Sequence, residues 1–210
     1  MIQMLINTEE YKISDNNYYK IEYEKSQIIL AGSLRKSNYH IVHLKRKDYG
    51  LTKSWNTYTI SRDGKIYEHY NPKYYSDFMG VKEIDKKSIS IVLENMGMVY
   101  FDYESNNFLS WSNDICPENN VFEKNWKGYR YWEAYTKEQF NSTVMLCGYL
   151  CDKFNIKVDC LGYNSHYENT ADFKGIVTRS NFDIDYFDLN PSFDFKKFLK
   201  ELDIPLQEKS

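Results

Sequence analysis

The side chains best suited to act together chemically lie near the carboxyl end of the chain, between residues 161 and 195. This stretch holds His166, Arg179, Asp188 and five further acidic side chains, and it has little regular apolar periodicity. Long segments without regular structure inside a compact domain usually form functional loops. We therefore expect the stretch to line a binding or catalytic site, and the remaining elements to position it.

Arg179 is flanked by small hydroxyl and amide side chains, including Asn181. A guanidinium in such a loop suits bidentate recognition of a carboxylate or phosphate, which makes Arg179 and Asn181 candidate ligand-binding residues. The alternative is an internal ion pair that fixes the loop, with one of the nearby carboxylates Asp183, Asp185 or Asp188 as the partner.

Other histidine and cysteine pairs are weaker candidates. His40 and His43 are three residues apart among Lys and Arg, so we expect them to be solvated surface residues. His69 follows a hairpin and is expected either in the cleft or on an exposed edge strand. Cys160 and His166 would be a thiol and a base, but no third catalytic member or oxyanion donor can be named for them.

The four cysteines, at positions 116, 147, 151 and 160, form no CxxC pair and no zinc-finger spacing, and we expect reduced thiols. Cys147 and Cys151 are four residues apart on an amphipathic helix. This spacing permits metal ligation, but buried apolar packing is the expected role.

Composition narrows the classes of partner. With 27 basic and 30 acidic side chains mixed along 210 residues, no basic patch predicts a nucleic-acid polymer as partner. No apolar run is long enough to span a membrane, and the amino terminus lacks the pattern of a signal peptide. These features predict a cytoplasmic protein, as translated, of unspecified oligomeric state.

Aromatic side chains are 17% of the chain, which reflects either coding bias or a surface that grips flat or sugar-like ligands. Many lie between residues 98 and 135, a segment without clear periodicity that we expect to be an insertion. They would line a stacking surface or fasten the insertion to the core: Trp111, Trp126, Tyr129, Tyr131 and Trp132.

The pattern of the chain predicts one α/β domain, with a central mixed sheet flanked by helices. Residues 1–26 would form an arm or edge strand, 27–202 the domain and 203–210 a tail. The Asp63-Gly64 turn predicts a hairpin at 58–67, and Thr136 with Gln139 predicts a capping box that starts a long helix. The other expected elements are strands at 27–31, 88–93 and 156–161 and helices at 34–49 and 195–202.

The chain resembles the type 2 N-acetylmuramoyl-L-alanine amidases and the peptidoglycan recognition proteins that share their fold, and it is also similar to phage-encoded amidases. The resemblance covers roughly residues 27–198. The segments that carry it are QIILAGS, YTISRDGKIYEHYNP, SISIVLENMG, YTKEQFNSTVMLCGYLCDKFNI, LGYNSH and FDLNPSFDF.

The resemblance implies a zinc ion held by two His and an Asp or Cys, with a fourth position open for the water that attacks the lactyl-amide bond. At the first ligand position this sequence has Ala31, and at the second we expect Tyr163, after Gly162. The third ligand is retained as Asp188. The positions of the catalytic Tyr or Glu and of the basic helper fall on Asn56 and Tyr186.

A displaced metal site remains an alternative. His166, three residues after Tyr163, would replace the missing imidazole and bind the metal together with Asp188, and Glu94, Asp183 or Asp185 would add oxygen ligands. One imidazole with carboxylates suits a harder metal than zinc. We therefore expect no cofactor, with zinc as the alternative.

The functional expectation is an amidase-fold protein with a degenerate zinc site that binds without turnover. The similarity to phage-encoded amidases implies a phage origin. The ligand would be a peptidoglycan fragment or a host nucleotide signal, which would be sequestered as an anti-defence function. The alternative is an active zinc-dependent cell-wall amidase. The expected ligand-binding residues are Arg179, Tyr163, Asn56, Glu94, Asn95, Tyr186 and Asn181.

Overall fold

Apolar runs and one hairpin build a six-stranded mixed sheet. The computed structural model describes residues 5–36, 53–162 and 165–204. Across the sheet the strand order is β1-β4-β3-β5-β2-β11. These strands are β1 (Ile6–Asn7), β2 (Gln27–Gly32), β3 (Tyr58–Ile60), β4 (Ile66–Glu68), β5 (Ser88–Leu93) and β11 (Gly175–Thr178).

The centre of this sheet is parallel, which decides where the site can lie. β2 pairs in parallel with β5 on one side and with β11 on the other, so the carboxyl ends of all three meet at one edge. Every residue of β2 and β5 is buried, as expected for strands covered on both faces. β3 and β4 form the antiparallel hairpin predicted from the Asp63-Gly64 turn.

A second, antiparallel sheet forms where the sequence shows no clear period. Its strand order is β8-β7-β6-β10-β9. A small apolar cluster of Met96, Val99 and Cys116 lies under it. Residues 98–133 are therefore largely β structure, although the segment shows no clear period in the sequence. The strands are β6 (Met98–Asp102), β7 (Asn107–Ser110), β8 (Ile115–Cys116), β9 (Val121–Trp126) and β10 (Tyr129–Glu133).

The longest described helix begins at the predicted capping box. Thr136 accepts a hydrogen bond from the backbone N–H of Gln139, whose side chain accepts one from the backbone N–H of Thr136. Cys147 and Cys151 are buried on its core face, and burial raises the pKa of both thiols, which fits the packing role. The described helices are α1 (Lys82–Lys87), α2 (Lys137–Phe154), α3 (Arg179–Phe182) and α4 (Phe195–Glu201).

The strand predicted at 156–161 was wrong. In that segment only Cys160 makes a bridge, to Ile176 of β11, and β11 is the strand that follows the long helix. The start of the helix predicted at 34–49 is also absent, because Leu34 has a positive φ of 52° and residues 34–36 are not helical. The remainder of that prediction, His40, His43 and Tyr163 lie outside the described residues.

The cysteines, all within the described ranges, are free and buried. Within those same ranges, no helix has the length and hydropathy that crossing a membrane requires. The helix predicted at 195–202 is confirmed as α4, and the short helix α1 was not predicted.

Candidate functional site

Asp188 lies at the edge where the parallel strands end. Its side chain is fully buried. Oδ1 accepts a hydrogen bond of 3.0 Å from the backbone N–H of Gly32, the last residue of β2. A Cβ at position 32 would lie 3.1 Å from this oxygen, so a glycine allows the carboxylate to approach the strand.

Arg179 supplies the positive charge beside this carboxylate. It directly follows β11 and donates from Nε to Asp188 Oδ2 and from Nη2 to the carbonyl of Gly32, the latter at 2.9 Å. Its side chain is 20% exposed, and its guanidinium lies 4.9 Å from the ring centroid of Tyr186. Of the three carboxylates considered as its partner, the structure pairs Arg179 with Asp188. This ion pair joins β2, β11 and the loop before α4.

The observed strands change one position carried over from the resemblance. The second ligand position was expected after the strand that follows the long helix, and we placed it at Tyr163. Because that strand is β11, the residue that follows it is Arg179. The first position, Ala31, lies in the adjacent strand β2 and is fully buried. Arg179 therefore lies beside Asp188, after the strand where the family resemblance implies a metal-binding imidazole.

Lys127, at the tip of the β9-β10 hairpin, holds the loop that leads to Asp188. Its Nζ donates to the carbonyls of Ile184 and Tyr186. The ammonium also lies 4.9 Å from the ring centroid of Trp126. Burial lowers the pKa of Lys127, against the opposing charges of nearby carboxylates. The second sheet therefore holds the loop at residues 184–188 in place through Lys127. The sequence did not indicate this role.

Asn56 and Glu94 are both buried. The Asn56 side-chain amide donates to the carbonyl of Tyr58 at 2.7 Å and to Thr59 Oγ1 at 2.8 Å. The Glu94 carbonyl accepts a hydrogen bond from Gln139 Nε2 at 2.7 Å. Asn56 therefore lies just before β3 and bonds to that strand, whereas Glu94 directly follows β5 and contacts the start of α2.

Asn95 and Asn181 are also buried and bonded within the fold. Asn95 Nδ2 donates to the carbonyl of Glu133, and its Oδ1 accepts from Asn190 Nδ2. Asn181 Nδ2 donates to the carbonyl of Gly162 at 2.9 Å. Both amides therefore connect segments around the site.

The described histidines, His69 and His166, do not take part in the ion pair between Arg179 and Asp188. His166 is exposed, and Cys160 is buried with a thiol pKa that burial raises, which argues against the thiol and base pair. His69 is fully buried, so neither the cleft nor the exposed edge expected for it is observed. Burial lowers the pKa of His69 to about 4, and the ring is therefore neutral at physiological pH.

The described side chains around Asp188 do not include a set of metal ligands. Within residues 5–36, 53–162 and 165–204, no three His, Cys, Asp or Glu side chains form a group that could hold a metal ion. Both oxygens of Asp188 instead accept hydrogen bonds, one from a backbone N–H and one from a guanidinium.

A cavity of about 660 Å³ opens between the second sheet and the ends of the parallel strands. Trp111 and Tyr129 line it from the second sheet, which agrees with one of the two roles expected for the inserted aromatic residues. Trp132 takes the other role, since it is fully buried. The described lining is Ser33, Leu34, Arg35, Met98, Val99, Tyr100, Trp111, Tyr129, Arg179 and Phe187.

A second cavity of similar size, about 650 Å³, lies along α4 and is lined by charged surface residues such as Lys196 and Lys200. It shares no described lining residue with the first cavity. We assign the candidate site to the first, because that cavity includes Arg179 and lies at the carboxyl ends of parallel strands, where ligands of α/β folds bind.

The sequence matches the profile of the N-acetylmuramoyl-L-alanine amidase family, Amidase_2, over residues 22–175. No curated protein matches it by sequence. The matched segment includes β2 and the hairpin and ends at the first residue of β11, before Arg179 and Asp188.

Solved structures show the same fold at low sequence identity. The N-acetylmuramoyl-L-alanine amidase LysC from Clostridium intestinale URNW is 12% identical, with a TM-score of 0.54 over 98% of this chain and 100% of that one. A mutant of PlyL is 10% identical, with a TM-score of 0.58 over 95% and 99%. A mutant endolysin from Bacillus subtilis is 11% identical, with a TM-score of 0.55 over 95% and 99%. Because the family profile covers well over half of its length, this chain belongs to the N-acetylmuramoyl-L-alanine amidase family.

Proposed function

We propose that this member of the amidase family binds a small ligand in its cleft and does not use zinc to hydrolyse an amide. The observation that carries the proposal is the ion pair between Arg179 and the buried Asp188. Each carboxylate oxygen of Asp188 accepts a hydrogen bond from within the fold, and the Arg179 guanidinium lies beside Oδ2 where a metal ion would have to approach.

Charge supports the same conclusion. A guanidinium keeps its positive charge at all physiological pH values, so Arg179 would repel a divalent cation placed beside Asp188. Ala31 offers a methyl group where a first imidazole would be needed. The residues present therefore do not fit a zinc ion that requires three nitrogen, sulfur or oxygen ligands.

The proposed ligand is a peptidoglycan fragment or a nucleotide. The first follows from membership of a family of cell-wall amidases. The second would suit a phage-encoded protein that sequesters a host signal in the cytoplasm. Both ligands carry anionic groups that arginine recognises well.

Family membership favours one alternative, an active amidase whose metal site uses His166 with Asp188. His166 is exposed, so it would have to approach the buried carboxylate and displace Arg179 from it.

The test measures zinc and activity on the same preparation. After incubation with zinc and removal of the excess, elemental analysis should find far less than one equivalent, and muropeptides should remain uncleaved. Zinc near one equivalent, together with amidase activity that a chelator removes, would overturn the proposal. His166→Ala then separates the alternatives, because only a displaced metal site would lose its zinc in this variant.

A further inference from the structure

We infer that the cavity under the second sheet binds a nucleotide, with the base against its aromatic wall and the phosphate at Arg35 and Arg179. This inference rests on the proposed function and specifies its ligand. A volume of about 660 Å³ lies within the ~300–1,000 Å³ typical of small-molecule sites.

The aromatic wall comes from the second sheet and from the loop that precedes Asp188. Trp111, Tyr100 and Tyr129 are 52%, 48% and 42% exposed, although they are large side chains that usually lose most of their exposure. Phe187 packs edge-to-face against Tyr129 at 5.5 Å between ring centroids. Exposed rings that line one cavity suit stacking with a flat ligand.

Two arginines line this cavity, Arg35 shortly after β2 and Arg179 directly after β11. The Arg35 guanidinium lies 4.4 Å from the ring centroid of Trp111, whose Nε1 donates to the carbonyl of Leu34 at 2.6 Å. Arg179 is oriented by Asp188 and is still 20% exposed. The described lining includes Arg35 and Arg179 and no acidic residue, and a lining of this composition favours an anion.

Polar groups of the described lining argue against a sugar as the main ligand. The Ser33 hydroxyl accepts from the backbone N–H of Asn95 and donates to its carbonyl. The Tyr100 hydroxyl donates to Asn113 Oδ1 at 2.9 Å. A muramyl fragment would bring many hydroxyl groups to these occupied partners and to apolar surface, where unmade hydrogen bonds are costly. A flat base with a phosphate needs fewer directed partners.

The test is calorimetric titration of the full chain with linear and cyclic nucleotides, and with adenosine, inorganic phosphate and muramyl dipeptide as separate probes. At least one nucleotide should bind, and adenosine and phosphate alone should each bind at least tenfold more weakly. Arg35→Ala and Tyr129→Ala should each weaken nucleotide binding at least tenfold. Arg130→Ala is the matched control, because Arg130 lies on the same strand as Tyr129 but pairs with Glu123.

Binding of muramyl dipeptide without nucleotide binding would overturn the inference, as would the absence of binding by every nucleotide. Equal affinities of Arg35→Ala and the unchanged protein would also overturn it. Zinc content and muropeptide cleavage are independent of these titrations. A zinc-free, inactive protein that binds no nucleotide would therefore refute this inference and leave the proposed function standing.

Discussion

Arg179 and Asp188 form a cross-link between β11 and the loop before α4, at the edge where three parallel strands end. The carboxylate is fully buried, while the guanidinium reaches the cavity. Arg179 therefore links the end of β11 to the loop before α4 and also lines the cavity proposed to bind a ligand. The contribution of the ion pair to stability can be measured without any ligand.

Arg179→Met should destabilise the fold by about 3–5 kcal/mol, because it leaves the Asp188 carboxylate buried without its cation. The double variant Arg179→Met/Asp188→Leu should lose much less, since no buried charge remains. Urea unfolding measures both. Arg130→Met is the control, because its pair with Glu123 is exposed to solvent and should contribute little to stability. A single variant as stable as this control would contradict the interpretation.

Lys127→Met should release the loop at residues 184–188 with little loss of global stability. The methionine keeps the apolar stem beside Trp126 but removes the ammonium that bonds the carbonyls of Ile184 and Tyr186. Hydrogen exchange followed by mass spectrometry should show faster exchange in this loop. Lys124→Met, an exposed change on the same hairpin, should leave the loop unchanged. Equal loop protection in both variants would refute the assignment.

The sequence predicted the parts of the fold that depend on local signals. The Asp63-Gly64 turn and the Thr136 capping box act within a few residues, and both are confirmed. The second sheet was not predicted because many residues of its strands are exposed to solvent on both faces. β9, for example, has four exposed residues between two half-buried ends, so it shows no alternation of apolar and polar residues.

The candidate site was harder to predict because it depends on which strand is adjacent to β2. We expected a strand at 156–161, whereas the strand that pairs with β2 is the four-residue β11. A strand so short carries little periodic signal. With β11 as the strand after the long helix, the residue that follows that strand is Arg179, whereas the sequence pattern had indicated Tyr163. Lys127 could not be identified at all, since its role depends on contacts with a segment far away in the sequence.

Thr59→Val should cost about 1–3 kcal/mol, because it removes the hydroxyl at the centre of a buried network. His69 Nδ1 lies 2.9 Å from the carbonyl of Tyr11, which only accepts, so Nδ1 carries the proton. Nε2 must then accept from Thr59 Oγ1, at 2.7 Å, and Asn56 donates to the same hydroxyl. Thr59→Ser keeps the hydroxyl and should retain most of the stability. Equal loss in the two variants, measured by thermal unfolding, would exclude the network as the cause.

Lys25→Met should flatten the rise of stability between pH 7 and pH 9. Lys25 is buried and donates to the carbonyls of Tyr74 and Lys86, and burial lowers its pKa from 10.5 to about 7. Above pH 7 the unfolded chain therefore holds a proton that the folded chain has lost. The free energy of unfolding should consequently increase with pH, by up to about 1.4 kcal/mol per unit.

Asp85 acts in a separate window, because burial raises its pKa to about 6 and its contribution falls as pH rises toward that value. Buried cysteines contribute with the opposite sign as pH approaches 9, because burial raises the pKa of their thiols, but they do so equally in both proteins. The difference in slope between Lys25→Met and the unchanged protein from pH 7 to pH 9 therefore isolates Lys25. The exposed change Lys82→Met serves as the control and should keep the slope of the unchanged protein. If Lys25→Met keeps that slope as well, the buried ammonium is not its source, and Lys25 remains charged within the fold.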